Sequence, residues 1–445
     1  MSATAHSASP ATAAAAGAAP QSAALRSFEA QWHARRAGPL HALRESAMQR
    51  FVQLGLPTMR DETWRYTNLR ALAAHAYVDA AGDAPAAALQ SDSLRSPALR
   101  IVNGVPCAAD RARLLENGLE IMPLSELLRG DPVLLRGFLE PLSDADQQRW
   151  ALLNTALFVD GLYIRITARL AAPLRLVHVT AGPGAAHPRV IIEAAPGSAA
   201  TIVEEHVSHG DADSLCNSVT QIAAGAGAEI EHYRIFRGGP RAAHIDTLDI
   251  RQAGGSRCKQ FTICLGGALL RTNLEARLEA AGAALDSYAL LVGHGSRHAD
   301  CVNIATHSAP DTRSRQTARI IASGDSRVIF NSKVIVCTGA VRSESMQSCR
   351  GLLMSPAAEI DTRPQLEIHT DEVKCAHGAT TGRLDPDMLF YMLSRGLDRR
   401  TAQSLLVYAF LADVMTDMSP AAGRDSIDSA LLAQLPESDL LRGLR

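Results

Sequence analysis

Two side chains able to ligate a metal, Cys375 and His377, stand two residues apart in the run Lys374-Cys375-Ala376-His377-Gly378. The residues before them, 365–373, read as extended. Side chains on a strand alternate, so a thiol and an imidazole at this spacing share a face. One soft and one borderline donor suit iron or an iron–sulfur unit. Two donors do not close a site, so the remaining ligands must come from another chain or a small molecule. The competing reading is an inert structural pair. Lys374 and Arg383 stand near enough in sequence to lower the thiol pKa. His369, on the same extended run, is a candidate third donor.

Other chemistry is thinner. His206 and His209 form an HxxH and His294 and His298 an HxxxH, but in a β-rich region neither spacing puts two rings on one helix face. Glu204 and Glu205 beside His206 read as a solvated loop. Carboxylates are dispersed, without the close pair that polysaccharide cleavage needs. There is no GxxxxGK[ST], so no P-loop holds nucleotide here, and no HExxH or GxSxG appears. The eight cysteines contain no CxxC pair, which points to reduced thiols in a cytoplasmic protein. Most of them, Cys349 included, read as buried fillers. A net charge of −2 supplies no general field for nucleic acid. No apolar run approaches the roughly 18 residues of a membrane helix. The Ala-, Ser- and Thr-rich start lacks the features of a signal peptide.

The elements that would position Cys375 and His377 belong to a repeat. From about 162 to 375, short alternating segments are separated by small-residue turns. Their glycines 197, 225, 254 and 282 are spaced by 28, 29 and 28 residues. A fixed-period strand-and-turn repeat with few helix signals predicts a solenoid, here a parallel β-helix, with an antiparallel sandwich as the alternative. Terminal coils of such a fold expose strand edges that need a cap or a partner. Helices are predicted over 22–56, broken at Gly38-Pro39, and over 386–415. In the latter, Asp385 and Asp398 stand as N-caps, Pro386 at a first helical position and Gly396 as a stop. Met388, Leu389, Met392 and Leu393 form one apolar stripe; Ala402, Leu405, Leu406, Ala409, Phe410 and Val414 form another. This hairpin packs on its own solenoid or docks a partner. The patch 60–68, with Trp64 and Tyr66, is a packed turn or a recognition surface.

The segments Asp361-Thr362-Arg363-Pro364-Gln365-Leu366-Glu367-Ile368, Val373-Lys374-Cys375-Ala376-His377-Gly378-Ala379-Thr380, Leu389-Phe390-Tyr391 and Ser394-Arg395-Gly396 resemble the C-terminal signature of the SufB/SufD family. Glu62-Thr63-Trp64-Arg65-Tyr66-Thr67 is similar to that family's SufD-type entry motif. Lys374 to Thr380 fits the SufD-type pattern K-C-[SA]-H-G-A-T. SufB-type chains carry a glutamate where Gly378 stands and a ligand cysteine where Ala358 stands, so this chain is not expected to be the main cluster scaffold. The resemblance implies a mainly β fold: a right-handed parallel β-helix flanked by N-terminal and C-terminal helical domains. The expected division is a disordered tail at 1–21, a mostly helical domain at 22–160, a β-helix at 161–376 and a C-terminal helical domain at 377–445.

It also implies a role. The chain would be a non-ATPase subunit of the SUF iron–sulfur assembly complex, paired with SufB. It would dock the ABC-type ATPase SufC through Leu389, Phe390, Tyr391, Arg395, Leu405, Leu406 and Phe410. A transient cluster or iron would sit at the SufB seam on Cys375 and His377, with none bound permanently by this chain alone. Neither nucleic acid nor membrane is an expected partner, and a homodimer is possible when SufB is absent. A free-standing β-helix enzyme acting on carbohydrate is the competing function. A purely structural partner is the third.

Overall fold

The computed structural model describes residues 22–35, 38, 40–80, 98–111, 117–139 and 148–419, with positions 424, 427, 430 and 431. The expected tail at 1–21 and most of the expected loose tail at 420–445 lie outside the described residues.

The central region is a parallel β-solenoid made of two facing sheets. One sheet runs from Leu174–Ala181 through Ala199–His209, Glu229–Arg237, Arg257–Cys264, Ala284–Gly293, Arg313–Ala322 and Ser343–Leu353 to Val373–Gly382. The other takes the intervening strands and ends at Glu359–Ile368. Each strand pairs with the strand one coil later, so residues stack in columns, as in Ser314, Ser345 and Cys375. Parallel pairing throughout these columns excludes the antiparallel sandwich. Alternation then divides every strand into an inward and an outward face.

The turns explain the period. Gly197, Gly227, Gly255 and Gly282 have φ of 71°, 67°, 66° and 77°, the left-handed region where a Cβ is costly. Gly225, which marks the repeat in the sequence, serves a different need. A Cβ there would lie 2.7 Å from the Ala194 carbonyl oxygen, so only glycine lets this turn stack on the one before it.

The N-terminal region combines helices with short strands. Helices Ala23–Arg35, His41–Leu54 and Arg149–Leu157 gather Phe28, Phe51, Trp64 and Trp150 over Leu215 and Ile245 of the solenoid. Strand Leu119–Pro123 pairs antiparallel with Leu162–Ile166 and closes one sheet. The patch at 60–68 is a packed clasp. Trp64 is buried under the Arg271 guanidinium, 4.4 Å from the ring centre. The Thr67 hydroxyl donates to Asp300 at 2.5 Å, and Arg363 donates to Glu62 at 2.5 Å.

At the other end, strand Val373–Gly382 carries the solenoid six residues past the expected limit at 376. Helices Pro386–Ser394 and Arg399–Met415 follow. Both expected N-caps form: Asp385 accepts from the Asp387 amide at 2.8 Å, and Asp398 from Arg400 and Thr401 at 2.9 and 3.1 Å. The second helix buries Val407, Leu411, Val414 and Met415 against an outward aromatic ladder of Tyr233, Phe261 and Tyr288. The rings of that ladder stack at 4.6 and 4.7 Å, one per coil. No helix among the described residues is long and apolar enough to cross a membrane.

Candidate functional site

Cys375 and His377 lie on Val373–Gly382, the edge strand of its sheet. Their column neighbours Ser345 and Gln347 are buried, so both positions belong to the inward face. Among the described residues, no further coil stacks on them. Cys375 is therefore only half-buried, packed at the rim of the apolar interior with Leu366 and Val373, and His377 is exposed. In any earlier coil these two positions would be enclosed. A hydrogen-bonded polar column leads to Cys375 from inside. His307 Nε2 meets the Ser314 hydroxyl at 2.8 Å, and that hydroxyl meets Ser345 at 2.9 Å. The Gln316–Gln347 column leads likewise to His377, and Gln347 donates to the Gln365 carbonyl at 3.3 Å.

Three expectations about this site need correction. The run 365–373 is not one strand: Glu359–Ile368 ends the preceding sheet strand, a turn follows, and Val373 begins the next. His369 therefore sits beyond the end of the opposite strand, 3.0 Å from Glu367, and not on the strand of Cys375. Lys374 does not activate the thiol. Strand alternation turns it outward, where its ammonium reaches Glu344 at 3.4 Å. Burial pushes the Cys375 thiol above its ordinary value, opposed by a hydrogen bond with the Ser345 backbone. At neutral pH the group is a protonated thiol, ionised when a metal displaces its proton.

The hairpin divides its apolar residues. Leu389 is buried, while Phe390 and Tyr391 are 72% and 63% exposed beside exposed Met388 and Arg395. Leu405 and Leu406 are half-buried. Phe410 packs against the chain's own core, 5.8 Å from the Arg319 guanidinium, which pairs with Asp413. The inward stripe of the second helix is thus Ala402, Val407, Leu411 and Val414; Ala409 is exposed. Cys349 is a buried filler, its thiol pushed up to about 12 by burial.

A second concentration of donors lies inside the middle coils and was not legible in the sequence. Glu204, Glu205 and His206 are buried on strand Ala199–His209, not in a solvated loop. His206 adjoins His178 and Glu204 on its own sheet, and Cys216 and His244 across the interior. His209 is exposed, and His294 sits in an exposed turn apart from His298, so neither sequence pair converges. Among the described residues, the groups of three or more His, Cys, Asp or Glu donors within 4.8 Å are these two interior ones, and Cys375 and His377 belong to neither. The one signal that could have found them is alternation: Glu204 and His206 share the inward face with Ile202.

The SUF system FeS cluster assembly, SufBD core domain family matches residues 177–410, and the SufBD protein N-terminal region matches residues 25–175. The chain is 30% identical over 400 residues to the iron–sulfur cluster assembly protein SufD of Escherichia coli (strain K12), spanning 87% of this chain and 92% of that protein. It is 28% identical over 401 residues to a SufBD family protein of Synechocystis, spanning 85% and 87%. With the SufD of Bacillus subtilis it shares 26% over 282 residues, 61% of this chain and 64% of that one. The solenoid, its terminal coil and the N-terminal clasp all fall within these matches, and the chain belongs to the SufBD family of iron–sulfur cluster assembly proteins.

Proposed function

We propose that this chain is a cytoplasmic, non-ATPase subunit of the SUF complex. It pairs through the open coil with SufB and helps hold the nascent cluster, or its iron, as cargo. One observation carries this reading: Cys375 and His377 occupy inward positions of a coil that no other strand among the described residues covers. A sister solenoid adding its edge to Val373–Gly382 would supply both the missing strand pairing and the missing ligands. A half-buried thiol keeps its proton until metal arrives, and the imidazole contributes a borderline nitrogen. The same edge offers a second copy of this chain a place to pair when SufB is absent.

The hairpin supports the other half of the reading. Its second helix is anchored to the solenoid, while Met388, Phe390 and Tyr391 of the first remain exposed, fit for the ATPase SufC. ATP hydrolysis belongs to that partner. Dimerisation of two SufC subunits would pull on the hairpin, whose second helix packs on the coils that lead to Cys375. Such coupling requires only that ATP-bound SufC favour the open seam.

The test is cluster formation by the purified three-component complex carrying His377→Ala or Cys375→Ser, read by visible absorption. The expected result is assembly reduced at least about tenfold, as for loss of a metal ligand or its support, with the complex intact by gel filtration. Undiminished assembly by an intact complex removes the residue from the site.

A further inference from the structure

We propose that His206, His244 and Cys216 form a three-ligand site for a divalent, borderline-soft transition-metal ion inside the solenoid, separate from the pair at its open end. His206 comes from one sheet; Cys216 and His244 are column neighbours on the other. Their donor atoms lie within 4.8 Å of one another across the interior. A tetrahedral ion with bonds of about 2.0–2.3 Å holds its donors roughly 3.3–3.7 Å apart, so a contraction of about 1 Å lets these three bind one ion, with the fourth position taken by water or an added ligand. All three line a cavity of about 20 Å³, room for one ion or one water.

His206 is what requires a ligand there. It is 3% exposed, and neither ring nitrogen has a hydrogen-bond partner. Leaving both nitrogens of a buried imidazole unsatisfied is costly. The ring is clamped by stacking on His178 at 4.4 Å and Phe236 at 4.9 Å, so it cannot turn away. Burial and the neighbouring imidazoles hold it far below its ordinary pKa, hence neutral, with a lone pair to offer.

The remaining polar groups choose between the two possible donor sets. Glu204 already accepts from His178 at 2.7 Å, His232 at 2.9 Å and Thr220 at 2.8 Å, and stands 3.7 Å from His206. Its oxygens are engaged, which leaves the side toward Cys216 and His244. His244 is set for ligation: Ser218 donates to Asp246 at 2.6 Å and so accepts the Nε2 proton of His244 at 2.7 Å, placing the ring's lone pair on Nδ1. Arg234 in turn pairs with Asp246. An imidazole oriented by an outer hydrogen bond to a hydroxyl and carboxylate is the usual support of a metal-binding histidine. Cys216 is a thiol in the absence of metal; binding exchanges its proton for the ion, and the ion's charge offsets the buried thiolate. One sulfur and two nitrogens select a borderline transition metal over magnesium or calcium.

The experiment uses the full chain carrying Cys375→Ser and His377→Ala, which removes the rim pair. It is titrated with Co²⁺ as a spectroscopic probe. The expected result is one equivalent bound, with a thiolate-to-cobalt charge-transfer band and the intense visible bands of a tetrahedral ion. Cys216→Ser abolishes the charge-transfer band, and His206→Ala weakens binding at least about tenfold; the exposed His209→Ala changes neither. Because Cys216 and His206 are core positions, X-ray absorption on the otherwise unaltered Zn²⁺-loaded chain gives a second reading, expected to show one sulfur among nitrogen neighbours. Absence of the bands, a charge-transfer band that survives Cys216→Ser, or a zinc shell without sulfur overturns the proposal.

Discussion

At its N-terminal end the solenoid encloses Leu162, Ile164 and Ile166 beneath an antiparallel strand, none of them more than 1% exposed. At its C-terminal end the inward positions Val373 and Cys375 are only half-buried and His377 is exposed. Both coils follow the same alternation, and the difference lies in what covers them. The first end is closed by residues of the same chain. Among the described residues the last coil has its inward face and its strand edge open, and it is there that the chain places a sulfur and an imidazole. An uncovered parallel sheet edge is a ready template for pairing, and proteins cover it or pair it. The arrangement fits a molecule completed by a partner.

The largest effects should come from the clasp that ties the N-terminal region to the solenoid. Trp64→Ala removes a fully buried indole and strips the cover from Arg271. It should cost about 3–5 kcal/mol in urea unfolding, and a loss under about 1 kcal/mol would mean that the clasp holds nothing together. Next, Ile164→Ala at the closed end should cost about 2–5 kcal/mol. Leu366→Ala, half-buried at the open end, should cost clearly less in the isolated chain and more once the partner is bound. Equal costs in isolation would break the contrast between the ends.

A smaller, kinetic effect concerns the rim thiol. Burial holds the folded pKa of Cys375 above the ordinary thiol value. Its alkylation rate should therefore keep rising as pH passes through about 8.5, the usual midpoint. A plateau below that pH would show a cationic neighbour at work. The smallest effect belongs to the hairpin cap. The Thr401 hydroxyl and amide hold the Asp398 carboxyl below its usual range. Its contribution is present above the ordinary carboxylate value and fades as pH falls through the lower folded one. Asp398→Ala should speed hydrogen exchange at Arg400 and Thr401 while leaving the solenoid strands unchanged.

Much of this was legible in the chain. The 28-residue spacing of small-residue turns announced coils, and Asp385-Pro386 and Asp398 marked both hairpin helices to the residue. Cys375 and His377 could be placed on one face by alternation alone. The interior donors could not. His178, His206, Cys216, His232 and His244 come from separate strands, and local spacing says which face a residue takes but not which coil it meets. Glu204 read as solvated because a buried carboxylate is rare, and it is tolerated here only because two imidazoles and a hydroxyl converge on it. His369 departs from its expected strand for the reverse reason: nothing in residues 365–373 announces the corner between the two sheets.

The central claim, that the open coil is the face a sister chain completes, is tested most directly by amide hydrogen exchange of this chain alone and with SufB. Strong slowing is expected across Val373–Gly382 on complex formation, with little change at Leu162–Ile166. A stable complex in which Val373–Gly382 exchanges as fast as in the free chain would contradict it.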